Sequence, residues 1–144
     1  MTSCVVFDWM HVFFVSGIFN IHCGVMMWNL KSYGITYAKL EQYVAAWHWP
    51  SYMGKGADDV FCTRRAKSSW EDGSEKATSS EGLSVLPIIA NFCQSLVDNG
   101  VTSADVRDHA RCFVMLADIV CRIQRCSRYQ VDPDELQLEL SGYL

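Results

Sequence analysis

Apolar residues recur at three- and four-residue steps along several stretches of the chain, which is the signature of amphipathic helices. In the first stretch Phe14, Ile18, Ile21, Val25 and Trp28 form a stripe on a helix predicted over residues 9–32. Asp8 or a neighbour caps that helix and Gly34 stops it. Gly17 and Gly24 share one of its faces, where they either admit a close neighbour or mark a break. Thr36 is a good cap for a second helix over 37–47, with Tyr37, Leu40, Tyr43, Val44 and Trp47 as its core stripe and Pro50 closing it. A third helix is predicted from near Ser80 to about Asp98, with Pro87 kinking it or delaying its start. A fourth runs from about Ser103 to about Tyr129 and turns Val106, Ala110, Phe113, Ala117, Val120 and Cys121 inward. Asp132-Pro133-Asp134-Glu135 opens a last helix, with Asp at the cap, Pro at the first position and Glu at the third.

Two stretches break this pattern. Ser-Cys-Val-Val-Phe at residues 3–7 is a short β-branched run that reads as the end of a buried strand. One strand cannot satisfy its own backbone ladder, so a chain that begins in one is expected to be the end portion of a larger protein. Residues 50–79 are rich in Gly, Ser and Thr. Five basic and five acidic residues lie between Lys55 and Lys76, and the segment is predicted to be a long flexible loop. The fold class is therefore mainly α. It is an irregular helical bundle of four to five helices with at most one short N-terminal strand, in a single domain spanning 1–144.

Composition narrows the classes. Half of the 144 residues are apolar and 19% are charged, which excludes disorder as the main state. Lys and Arg number 12 against 16 Asp and Glu, a formal net charge of −4 that excludes a strongly basic nucleic-acid-coating protein. Seven cysteines, an odd number with no CxxC spacing, argue against a disulfide framework and a zinc ribbon, and fit a reducing, intracellular setting. Residues 12–30 carry no formal charge over 19 positions, long enough for a spanning helix. Ser16, Asn20, His22 and Asn29 within them weigh against a membrane span, and a helix buried on most sides of a core is expected instead.

Candidate chemistry centres on two carboxylates. Asp8 follows the apolar run directly and opens a helix, which places it either at the carboxyl end of a sheet or simply at a helix cap. Glu81 opens the third helix, where it is either a ligand or an ordinary first-turn Glu that the helix dipole favours. His11 and His22 share a helix face but stand about 16 Å apart, too far to hold one zinc ion.

An apolar strand followed by Asp8-Trp9-Met10-His11, then an apolar helix, with Glu81 on a later helix, resembles the later half of the ribonuclease-H-like catalytic domain of DDE/D transposases. The resemblance covers residues 3–95. It implies Asp8 and Glu81 as catalytic, metal-binding carboxylates for Mg²⁺ or Mn²⁺ in two-metal phosphoryl transfer on DNA. The family's first catalytic Asp would lie upstream of Met1, so the chain alone is expected to be inactive, and a transposase-derived protein would be nuclear.

On the fourth helix Arg107, Arg111, Arg122 and Arg125 are placed to touch phosphates, or else to form a solvated charged face. Trp47, Trp49 and Tyr52 suit base stacking or packing. The functional expectation is a truncated transposase-like domain, and the alternative is a non-enzymatic helical interaction domain. In either case a protein partner or self-association is expected.

Overall fold

The computed structural model describes residues 8–15, 17–49, 59–100, 103–128 and 132–141. The predicted strand at 3–7, Tyr52 and Cys4 lie outside them. Among the described residues there are seven helices and no strand: α1 Trp9–Phe14, α2 Ile18–Lys31, α3 Tyr37–Ala45, α4 Thr63–Asp72, α5 Ser79–Asp98, α6 Ala104–Ser127 and α7 Pro133–Ser141. The mainly helical, irregular bundle stands, with more helices than the four to five expected.

The extra helices have identifiable causes. The first predicted helix is split, because Val15 leaves helical geometry and Gly17 begins the next helix in extended conformation. A side chain at Gly17 would run into the Val12 carbonyl, so only glycine lets the chain turn that tightly. Helix α4 lies inside the segment expected to be a flexible loop. It ends on Gly73 in the left-handed region at φ 65°, a common helix terminator. Pro87 sits inside α5 and neither delays nor ends it. Asp8 caps α1 by accepting the His11 N–H at 3.2 Å, and Asp132 accepts the Asp134 N–H at 2.9 Å at the start of α7.

Helices α5 and α6 form the main pair, α2 crosses α6, and α1 packs against α2 and α5. Helix α3 leans on α5 and α4. Phe14, Phe19 and Phe113 stack at the centre, with ring centroids 5.5 and 6.0 Å apart. Met26, Met27, Leu30, Leu40, Phe61 and Ile89 are wholly buried around them. Each such side chain contributes about 1.5–3 kcal/mol by leaving water.

Helix α2 departs most from expectation. The stripe Ile18, Ile21, Val25 and Trp28 is not core: these residues are 41–63% exposed. The buried face is Phe19, Cys23, Met26, Met27 and Leu30, with Asn20 among them. Residues 9–31 are long and apolar enough to cross a membrane by length and composition. With Val15 and Gly17 both extended, α2 itself has 14 residues. That is about 21 Å of helix, short of a hydrocarbon core of about 30 Å.

Gly24 takes the opposite role to Gly17. A Cβ there would stand 2.6 Å from the Gly73 carbonyl oxygen and 2.7 Å from the Ser74 Cα. The segment after α4 therefore lies directly against α2, backbone to backbone. Gly24→Ala should gain about 1 kcal/mol of helix propensity. It should lose more, about 1–3 kcal/mol, through the forced separation. The expected result is a lower urea midpoint with an unchanged circular dichroism spectrum, and an equal or higher midpoint would contradict this seating.

Candidate functional site

The polar chemistry of the molecule gathers where residues 73–78, a strap joining α4 to α5, cross α2. The Glu75 N–H donates to the Asn20 backbone carbonyl at 2.8 Å. The Asn20 side-chain amide donates to the Phe14 carbonyl at 2.9 Å and to the Ala77 carbonyl at 3.1 Å. One buried amide therefore ties the end of α1 to the strap. Its Oδ1 has no hydrogen-bond partner among the described residues.

Glu75 is only 2% exposed. Its Oε1 accepts from the Ser69 hydroxyl at 3.0 Å and the Lys76 N–H at 3.1 Å. Burial pushes its carboxyl above the usual carboxylate range, against these hydrogen bonds, the nearby Tyr37 hydroxyl and the Arg65 charge. Burial likewise raises the Cys23 thiol well above its ordinary value and lifts Cys93 to about 12. These cysteines stay protonated and unreactive near neutral pH. Burial, and after it His109, lower the His22 imidazole from its ordinary value.

The strap ends in a capping box. The Glu81 N–H donates to Thr78 Oγ1 at 3.4 Å, and the Thr78 N–H donates to Glu81 Oε2 at 2.8 Å. Glu81 Oε1 accepts from Arg65 Nη2 of α4 at 2.9 Å. Burial raises the Glu81 carboxyl, but Arg65 and Thr78 outweigh it and leave the group below its ordinary value.

The two carboxylates singled out in the sequence are thus each engaged locally. Asp8 Oδ1 and Oδ2 face the His11 N–H and Nδ1, and Glu81 faces Arg65 and Thr78. The His11 N–H and imidazole lower the Asp8 carboxyl. Among the described residues the two share no hydrogen-bond partner. No group of three or more His, Cys, Asp or Glu that could hold a metal ion occurs among the described residues. Asp8 caps α1, and Glu81 is the capping-box partner of Thr78 and pairs with Arg65.

Of the arginines expected at phosphates, Arg122 pairs with Asp118 at 2.9 Å, and Arg107 Nε is buried without a partner among the described residues. Arg111 and Arg125 are exposed on α6. The six cysteines among the described residues are all free of disulfides.

Beside the strap lies a feature of a different kind. Val12 of α1, Val15 after it, and Ile18, Ile21, Val25 and Trp28 of α2 are each at least 41% exposed. Two hollows adjoin this stripe where the strap meets α2. One, of about 390 Å³, opens between Val15, Ile21 and residues 74–79. The other, of about 130 Å³, lies between Val25, Trp28 and Gly73. The face is apolar, uncharged along residues 12–30 and notched.

Sequence reasoning named neither Asn20 nor Glu75 as anchors and missed the Arg65–Glu81 pair. Thr78-Ser79-Ser80-Glu81 carried the capping-box spacing. Asn20 was visible as an amide inside an uncharged apolar run, where only an internal hydrogen-bond partner makes it tolerable. No family model, curated protein or solved structure matches the chain.

Glu75 and Glu81 should respond oppositely to pH. Glu75 has a folded value above the 4.5 of an ordinary glutamate. Its contribution to stability is therefore full below that value and is lost as pH rises through the folded one. Glu81 has a folded value below 4.5, so its contribution is present above 4.5 and is lost on acidification. In urea melts, Glu75→Gln should be at least as stable as wild type at about pH 7, with the advantage closing by about pH 4. Glu81→Gln should be less stable at about pH 7, with its deficit shrinking on acidification. The same sign of pH dependence for both variants would contradict this assignment.

Proposed function

We propose that this chain is a non-enzymatic helical interaction domain that docks a protein partner on the outer face of α1 and α2. The observation that carries the reading is a row of four apolar side chains, Ile18, Ile21, Val25 and Trp28, exposed along α2, with Val12 and Val15 exposed on the segment before it. Isolated exposed apolar residues are ordinary, but a contiguous row of them beside two hollows is the usual mark of a docking surface. The row carries no formal charge, and an aromatic residue, Trp28, stands on it at 63% exposure. Tryptophan is among the residues that dominate binding energy at interface centres.

The rest of the molecule supports a scaffold role better than a catalytic one. The buried carboxylate, the buried thiols and the capping glutamate are all committed to holding the strap on α2 or are shielded from solvent. The transposase-type reading needs Asp8 and Glu81 to share a divalent ion, and both carboxylates already have neighbouring donors.

A photo-crosslinking amino acid placed at Val25 in the full chain, expressed in cells, tests the proposal. It should give one or more discrete protein adducts. The same group at Gln42, exposed on α3, should give none. Adducts of equal yield from both positions, or from neither, would contradict a docking role for this face.

A further inference from the structure

Helices α2 and α6 cross with a polar seam beside their aromatic contact. The Tyr33 and Ser103 hydroxyls share a hydrogen bond of 2.6 Å. Asn29 Nδ2 donates to His109 Nε2 at 2.8 Å. The His22 ring packs on Phe113, with ring centroids 5.4 Å apart. The contacts climb along α6 as they descend from Tyr33 to His22, so the two helices run antiparallel here. Each helix puts one half-buried imidazole into the crossing, His22 from α2 and His109 from α6.

Both rings suit this seam only when neutral. The Asn29 amide donates to a nitrogen lone pair, which His109 has at Nε2 only in its neutral form with the proton on Nδ1. A second proton would set two donors against each other. His22 lies against a ring that offers no hydrogen bond in place of the water a charged imidazole loses. The attraction of a cation to an aromatic face offsets only part of that loss. Burial, and after it His109, lower the His22 imidazole from its ordinary 6.5.

We propose that the α2–α6 crossing is an acid-sensitive joint, firm while His22 and His109 are both neutral and weakened when they take up protons. The joint needs no partner and stands apart from the docking face. The charges around it do not neutralise the two rings. Residues 12–30 carry no formal charge, and Lys31 at the end of α2 has the same sign as an imidazolium. Asp105 and Asp108 of α6 are exposed, where a pair with His109 is screened by water and contributes little. Charges on the other elements near α2 are engaged elsewhere: Asp8 with His11, Asp72 with Lys76, and Arg65 with Glu81. Because the folded value of His22 lies below 6.5, its support is present above 6.5 and is lost as pH falls through the folded value. Glu75 acts in the opposite direction, so the two effects separate only when variants are compared at the same pH.

Urea unfolding of the purified full chain between about pH 7.5 and about pH 5 reads the joint. The unfolding constant of the wild type relative to that of His22→Gln should rise about fivefold or more on acidification. In a double-mutant cycle with His109→Gln, a repulsive coupling between the two positions should be absent at about pH 7.5 and at least about twofold at about pH 5. Asn29→Asp places a carboxylate that accepts from protonated His109, so its unfolding constant relative to the wild type should fall on acidification.

A wild-type to His22→Gln ratio that does not change with pH overturns the proposal. So does a coupling that is the same at both pH values, or an Asn29→Asp variant that loses stability relative to the wild type in acid. Where His22→Gln does not fold, the ring-proton titration of His22 in the wild type by NMR decides, and a midpoint at or above 6.5 overturns the joint.

Discussion

The side-chain amide of Asn20 is the contact on which the arrangement of this molecule depends. It is only 4% exposed, and a buried amide without a hydrogen bond would cost a few kcal/mol. Its two donated hydrogen bonds reach carbonyls on either side of it in the fold, Phe14 before the helix break and Ala77 in the strap. The backbone carbonyl of the same residue receives the Glu75 N–H. A single position therefore fixes how α1 leaves α2 and where the chain returns over it. Gly24, one turn further along, lets the strap reach van der Waals contact with the helix backbone. Arg65 and Thr78 then hold Glu81 at the start of α5, so the strap is tied at both ends.

This anchoring decides which side of α2 faces water. The strap, α5 and α6 cover the face that carries Phe19, Cys23, Met26 and Leu30. On the opposite side Ile18, Ile21, Val25 and Trp28 are 41–63% exposed. A helix that is apolar all round is ordinarily buried all round. Here one side is buried and the other is exposed, and the strap side chains that flank it give it relief. The burial of Glu75 has the same origin. Its carboxyl caps the strap through Ser69 and Lys76 and is kept out of water by the packing that the strap creates.

Much of the helical architecture was legible in the sequence because caps and stops are local signals. Asp8, Asp132 and Gly34 act through neighbours a few residues away, and the helices at 37–45, 79–98 and 104–127 have periodic apolar faces. The orientation of α2 was not legible. Ile18, Ile21, Val25 and Trp28 form one apolar stripe at helical spacing, and Phe19, Cys23, Met26 and Leu30 form another. Periodicity alone cannot choose between two apolar stripes; a long-range contact does, here from the strap. Helix α4 escaped notice because Arg64, Arg65, Lys67, Ser68, Glu71 and Asp72 leave almost no apolar rhythm to detect. The Asp8 and Glu81 carboxylates stand at helix starts, where their local sequence places them.

Native-state hydrogen exchange at the Glu75 amide tests most directly whether the strap is held on α2 by Asn20. That N–H lies in a segment without helix, so its protection depends on the 2.8 Å bond to the Asn20 carbonyl and on the amide bond from Asn20 to Ala77 that keeps the strap in place. The account predicts that the Glu75 amide exchanges as slowly as core amides of α5 in the wild type. It also predicts that this protection is largely lost in Asn20→Ala while the α5 amides keep theirs. A Glu75 amide that exchanges at the rate of an open chain in the wild type, or whose protection survives Asn20→Ala unchanged, would contradict it.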